Sequence, residues 1–214
     1  MELELVFEEE SSRVLYTPDH GINNPGMEYM MSQCPENRGQ VKIYGKVMDV
    51  PRFQKPYFHN YAFTGLDHAA EQYDDENHWH RYLMQLVERC NQIWRNNQDT
   101  LGSYDENQSL NGVLVNWYHD GNSYIGHHSD SEKSLVPLSP IFSFSFGAKR
   151  DFHIRPRKNP TNGCSKANLK VDLPLEDGSL TIMAGTLQRT HTHALPKRKR
   201  CNEPRVNITI RAFN

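Results

Sequence analysis

The sequence predicts a β-rich α+β fold, a double-stranded β-helix (jelly roll) core with an N-terminal supporting helix, and three observations predict it. Short strand-like runs separated by turn residues follow one another from residue 113 to the C-terminus. One stretch, residues 77–97, spaces its apolar residues at helical steps. In the last strand, apolar and polar residues alternate without a break, so one face belongs to a core and the other is available for chemistry.

A length of 214 residues suits one sizeable domain. The expected division is an N-terminal extension, residues 1–38, of no assigned role, and a main domain, residues 39–214. There is no apolar run of about 18 residues, and the Met1-Glu2-Leu3-Glu4 start lacks the features of a secretion signal. The expectation is a soluble, intracellular monomer without a membrane partner, nuclear if the source is eukaryotic and otherwise cytoplasmic. Cys34, Cys90, Cys164 and Cys201 form no CxxC pair, which argues against a zinc finger and a disulfide framework. Residues 149–214 carry fourteen Lys or Arg against five Asp or Glu, although the net charge of the chain is −2. Such a basic third suits a polyanionic partner, and equally a lysine-rich solvated surface.

Taken in order, Leu3 to Phe7 and Val14 to Tyr16 read as short strands, and residues 17–38 are turn-rich. Val41 to Gly45 alternates as a strand does. Val50-Pro51-Arg52-Phe53-Gln54 then leads into the aromatics Tyr57, Phe58, Tyr61 and Phe63. Aromatics among Arg52, Gln54 and Lys55 can stack on bases while cations hold phosphates, and they can equally be core. Trp79, Leu83, Leu86, Val87, Cys90, Ile93 and Trp94 give the helix its apolar stripe, with Asp74 or Asp75 as cap. Further strands are expected at 113–118, 141–146, 151–155, 169–173, 179–183, 189–194 and 206–212.

Chemistry concentrates at Ile125-Gly126-His127-His128-Ser129-Asp130-Ser131-Glu132. In extended chain His128 and Asp130 face the same way and offer two metal donors. A third can come from His191 or His193, themselves two residues apart. Two imidazoles and one carboxylate on one side of a metal form the facial triad of non-haem Fe(II) oxygenases. In the last strand Arg205, Asn207, Thr209 and Arg211 line the polar face, where a guanidinium fork can grip a small dicarboxylate.

On these residues the chain resembles the AlkB-type Fe(II)/2-oxoglutarate-dependent dioxygenases, especially the eukaryotic nucleic-acid repair demethylases. The likeness runs from about Val41 to Phe213 through Val50-Pro51-Arg52-x-Gln54, Asn116-x-Tyr118-x-Asp120-Gly121, Ile125-Gly126-x-His128-x-Asp130-x-Glu132, Ser145-Phe146-Gly147-Ala148-x-Arg150-Asp151-Phe152, His193-x-Leu195-Pro196 and Pro204-Arg205-Val206-Asn207-x-Thr209-x-Arg211. It does not reach residues before Gly39.

The resemblance implies Fe(II) on His128, Asp130 and His193, the His-x-Leu-Pro context favouring His193 over His191. It implies 2-oxoglutarate, consumed with O2, on Asn116, Tyr118, Arg205, Asn207, Thr209 and Arg211, with Arg205 facing the distal carboxylate. The implied reaction removes methyl groups from bases such as 1-methyladenine and 3-methylcytosine in DNA, and in RNA as a second polymer, reversing alkylation damage. Residues 41–65 would be the nucleotide-recognition segment. Phe63 and His128 would sandwich the base, Glu132 would face its polar edge, Tyr44 would intercalate, and Arg52 and Gln54 would lie along the lesion-facing strand. Arg155 to Lys158, Lys166, Lys170 and Lys197 to Arg200 would meet phosphates, the last run also reading as a nuclear localisation signal. The sequence departs from the family at Ser131, where close relatives often have an acidic residue. Two other classes stay open: an oxygenase acting on protein or a small molecule, and a non-catalytic nucleic-acid-binding jelly roll.

Overall fold

The structure is a computed structural model that describes residues 1–63, 66–161 and 167–214, apart from the side chains of Ile43, Ala62 and Phe63. Cys164 and Lys166 lie outside the described residues. The chain opens with β1 (Glu4–Glu9), β2 (Ser12–Thr17) and a short helix α1 (Met27–Ser32). Two hairpins flank a longer strand: β3 (Gln40–Ile43) with β4 (Lys46–Asp49), then β5 (Phe53–Tyr57), then β6 (Tyr61–Phe63) with β7 (Leu66–His68). Helices α2 (His78–Asn96) and α3 (Gln98–Leu101) precede β8 (Gly112–Tyr118), β9 (Ile125–His128), β10 (Ile141–Gly147), β11 (Arg150–Pro156), β12 (Val171–Leu175) and β13 (Leu180–Gly185). A single turn of helix, α4 (Leu187–Thr190), runs into β14 (His191–Leu195), and β15 (Arg205–Arg211) ends the fold.

The strands form a seven-stranded sheet, β1-β2-β13-β10-β15-β8-β5, and a four-stranded sheet, β12-β11-β14-β9, with every pair antiparallel. This is the expected jelly roll. Side-chain alternation divides the larger sheet cleanly. Val113, Val115 and Trp117 of β8, Phe142, Phe144 and Phe146 of β10, and Val206, Ile208 and Ile210 of β15 share one core with α2. The opposite face meets the smaller sheet, where Tyr118, Ile141, Phe152, Ile154, Met183 and Leu195 form a second core.

Helix α2 is the supporting helix that the apolar spacing predicts. Leu83, Leu86, Val87, Cys90, Ile93 and Trp94 are all buried against the sheet, each large aliphatic contributing roughly 1.5–3 kcal/mol on burial. Its cap is Asn77 and not Asp74 or Asp75. Asn77 Oδ1 accepts from the N–H groups of Trp79 and His80 at 2.9 and 3.3 Å, while Asp74 Oδ1 is taken by the Glu76 N–H in a turn of its own.

The residues before 39 pack with the rest of the fold. β2 pairs with β13 from Ser12↔Gly185 to Thr17↔Leu180, so the first strands extend the larger sheet, and Trp117 Nε1 donates to the Met30 carbonyl of α1 at 2.8 Å. The expected strand at 41–45 also stops short. Tyr44 and Gly45 have φ of 49° and 81°, both positive as a two-residue type I′ hairpin requires. Among the described residues no helix is long and apolar enough to cross a membrane.

Candidate active site

The polar face of the larger sheet is where the predicted residues converge. Register places Asn116, Asn207 and Ser145 in one row across β8, β15 and β10, with Arg205 opposite Tyr118 in the next. Below them the smaller sheet sets His193 directly opposite His128. Asp130 follows two residues after the end of β9. One donor atom from each of His128, Asp130 and His193 lies within 4.8 Å of the others. The separations from Asp130 Oδ1 are 3.6 Å to His128 Nε2 and 4.0 Å to His193 Nε2.

Each member is prepared for a cation. His128 Nδ1 is 2.9 Å from the Gly126 carbonyl, which can only accept, so the proton sits there and Nε2 keeps its lone pair for the site. Burial pushes the His193 pKa down to about 3, with His128 adding to the effect, so its imidazole is neutral. Burial opposes ionisation of Asp130, but Arg211, His193 and His128 outweigh it and hold the carboxyl well below its usual range. Arg211 donates through Nε and Nη2 to Asp130 Oδ2 at 2.9 and 2.7 Å, leaving Oδ1 turned to the imidazoles. Two neutral imidazoles with one buried, ionised carboxylate fit Fe(II).

His191 is excluded from this set by its neighbours. It faces the same interior two residues earlier, but its Nε2 lies 3.3 Å from Glu9 Oε2 and its ring meets Phe7 edge-on at 5.0 Å. Thr190 Oγ1 occupies its other nitrogen at 2.8 Å.

At the other end of β15, Arg205 is 2% exposed, gives one hydrogen bond to Ser145 Oγ at 3.0 Å, and has a buried Nε without a partner. Burial brings its pKa down to about 10, so it stays cationic. Its guanidinium carbon sits 5.9 Å from the Tyr118 ring centre. A buried cation with free donors beside a phenol is a carboxylate slot, and fits a distal carboxylate of 2-oxoglutarate. Asn116 lines the same cavity but its Oδ1 accepts from Arg52 Nε at 2.8 Å. Asn207 Nδ2 donates to Ser143 Oγ and the Phe144 carbonyl, and Thr209 donates to Asn207 Oδ1. Those two residues are cavity wall held by their own bonds.

The expected substrate residues separate. Glu132 is brought to the cavity beside Asp130; Tyr61 donates to its Oε1 at 3.0 Å, and its buried Oε2 has no hydrogen-bond partner. Burial, then Asp130, raises its pKa. Arg52 is buried and lines the cavity wall. Gln54 is buried one strand further out, so close to Gly39 that a Cβ there would sit 2.4 Å from Gln54 Cγ, and it does not line the cavity. Tyr44 stands at the hairpin tip with 101% relative exposure. The Phe63 side chain lies outside the described residues. Sequence reading missed Tyr61 as the partner of Glu132, since an aromatic in a short strand gives no sign of its hydroxyl partner. It also missed Arg150, buried and donating to the carbonyls of Asp120, Ser123 and Pro196 behind Tyr118.

The chain belongs to the 2OG-Fe(II) oxygenase superfamily, whose profile matches residues 26–211. Fe(II), 2-oxoglutarate and O2 are what that family implies at this site. Within it the chain is of AlkB type. It is 35% identical over 175 residues to the DNA oxidative demethylase ALKBH2 of Homo sapiens, covering 80% of this chain and 60% of that protein. It is 37% identical over 135 residues to the alpha-ketoglutarate-dependent dioxygenase alkB homolog 3 of Bos taurus, covering 63% of this chain and 43% of that one. The chain thus spans less than two thirds of the length of these relatives. A solved structure of OsALKBH1 shares the fold, with a TM-score of 0.53, 14% identity, and coverage of 97% of this chain and 99% of the other.

Proposed function

We propose that this protein oxidatively demethylates N-alkylated bases such as 1-methyladenine and 3-methylcytosine in DNA, with RNA as a second polymer, coupled to 2-oxoglutarate decarboxylation. The observation that carries the reading is Glu132: a half-satisfied, half-buried carboxylate beside the His128, Asp130 and His193 set suits the polar edge of a base and has no role in holding the metal. The names of the AlkB-type relatives support the same substrate class.

Bound Fe(II), 2-oxoglutarate and O2 supply hydroxylation of a C–H bond together with loss of CO2 from the 2-oxo acid. The chain supplies placement. His128 and His193 present neutral nitrogens, and Arg211 turns one oxygen of Asp130 toward them. Arg205 and Tyr118 hold the distal carboxylate, with Asn116, Asn207, Thr209 and Arg211 completing the cosubstrate wall. Tyr61 fixes Glu132 so that its second oxygen meets the base edge.

A duplex base must leave the stack to reach this cavity. Residues 41–65 are the nucleotide-recognition segment of this reading, with Tyr44 at the exposed tip as the intercalating group, His128 stacking on the base, and Arg52 on the inner wall. Lys158, Lys170 and the Lys197–Arg200 run are exposed and suit phosphates, Lys197 also lying 4.8 Å over the Tyr124 ring. Arg155 is already committed to Asp172 and to the Ile154 and Val171 carbonyls. On this reading the protein is an intracellular monomer, nuclear in a eukaryote.

The test is incubation with Fe(II), 2-oxoglutarate and oligonucleotides bearing 1-methyladenine or 3-methylcytosine, following base mass and succinate together. Loss of one methyl mass per base with matching succinate is expected. No succinate with any substrate removes the enzyme reading, and succinate without base repair transfers the reaction to a protein or small molecule.

A further inference from the structure

Asp130 is the one member of the metal-ligand set that hangs from irregular backbone. β9 ends at His128 and His193 lies inside β14, whereas residues 129–132 belong to no strand. Arg211 grips the carboxylate, yet that contact alone does not fix the main chain that carries it. Other bonds do. The Asp130 N–H donates to Gln188 Oε1 at 2.9 Å. The Gln188 amide is oriented from its other end, where Nε2 lies 3.6 Å from Met183 Sδ. Arg157 Nη1 donates both to Ser129 Oγ at 2.7 Å and to the Gln188 carbonyl at 3.1 Å. Gln188 belongs to α4, the turn that feeds directly into β14 and His193.

We propose that Arg157 and Gln188 are positioning residues of the metal site. They tie the Ser129–Asp130 main chain to the segment that carries His193, and so set the spacing between the carboxylate and the third imidazole. The inference rests on the reading of His128, Asp130 and His193 as metal ligands. It also ties Arg157 Nη1 to two internal acceptors, which draws the guanidinium inward from the phosphate contacts expected for residues 155–158. Sites carried on loops need such support, since a displacement of about half an ångström is enough to lose productive geometry.

Metal-free wild type, Arg157→Met, Gln188→Leu and Gln188→Glu are titrated with Co(II) in the presence of 2-oxoglutarate, reading affinity and the visible spectrum, with the melting temperature of each metal-free protein as a folding control. Arg157→Met and Gln188→Leu are expected to bind Co(II) about 10–100-fold more weakly, the usual loss when a metal ligand's hydrogen-bonded support is removed, with an altered spectrum. Gln188→Glu keeps an acceptor for the Asp130 N–H and is expected to restore both. The salt dependence of oligonucleotide binding is expected to be unchanged in Arg157→Met. Wild-type affinity and spectrum in Arg157→Met and Gln188→Leu overturn the proposal. So does a Gln188→Glu protein as weak as Gln188→Leu, or a salt slope lowered by about one in Arg157→Met with metal binding intact, which marks a phosphate ligand. If Arg157→Met does not fold, the Gln188 pair decides. A wild-type protein that binds no Co(II) overturns the ligand reading itself.

Discussion

Replacing Arg205 by Met separates a cosubstrate contact from a structural one. The guanidinium is buried with a single hydroxyl partner, and no carboxylate among the described residues pairs with it. An apolar side chain of similar length costs the free protein little, since exchanging buried charge for apolar volume is often neutral or stabilising by about 1–4 kcal/mol. The bound form loses charge-assisted hydrogen bonds worth about 1.5–3 kcal/mol. Taking about 3 kcal/mol, Kd for 2-oxoglutarate rises roughly 150-fold. At about 100 times the wild-type Kd, the wild type gains about 2.7 kcal/mol of stability and the variant only about 0.3. For a chain of this size, at roughly 2–4 °C per kcal/mol, the ligand-induced rise in Tm falls from about 5–11 °C to about 1 °C. Differential scanning fluorimetry with Mn(II), with and without 2-oxoglutarate, reads both quantities. A variant that keeps the wild-type ligand shift, or whose Tm collapses without ligand, refutes the assignment.

Three further outcomes follow from the same geometry. His128→Ala and Asp130→Ala abolish turnover, and Asp130→Ala leaves oligonucleotide affinity by fluorescence anisotropy near wild type; full activity in either removes that residue from the metal set. Glu132→Ala lowers base repair more than succinate formation, and an equal loss of both contradicts a base-edge role. Tyr44→Asn preserves the positive-φ turn but removes the ring, so affinity for methylated duplex drops by about 1–3 kcal/mol, the range for losing one stacking aromatic, with single-strand repair unchanged; equal effects on both strands count against intercalation.

Local patterns carried much of this into the sequence. The alternation of Arg205 to Arg211 marks a core face and a polar face, and that polar face became the wall of the cavity. The helical spacing of Leu83, Leu86, Cys90 and Ile93 found α2. What could not be read depends on contacts between distant residues. Spacing alone leaves His191 and His193 equal, only the family resemblance favours His193, and the physical reason lies with Glu9 and Phe7, at the far end of the chain, which capture His191. The N-terminal strands looked like an extension because their partner β13 comes at residue 180. Arg52 reads only as a strand residue near the lesion, and its place in the cavity wall depends on a bond to Asn116 of β8, sixty-four residues on.

Three buried arginines that line this cavity, and Arg150 behind Tyr118, differ in how they are satisfied, and the difference assigns direction. Arg211 has a carboxylate, Arg150 three carbonyls and Arg52 an amide oxygen. Arg205 has only a hydroxyl. Buried donors left unmatched cost stability unless a ligand completes them, so the unmet demand for an anion is greatest at the Arg205 end of β15. The Asp130 charge cancels that demand at the Arg211 end. A dicarboxylate entering this cavity therefore meets unequal ends, one that attracts a free carboxylate and one already neutralised beside the imidazoles. Orientation follows from this asymmetry before any metal contact is made, which is why Arg205 and Arg211, six residues apart on one polar face, are not interchangeable.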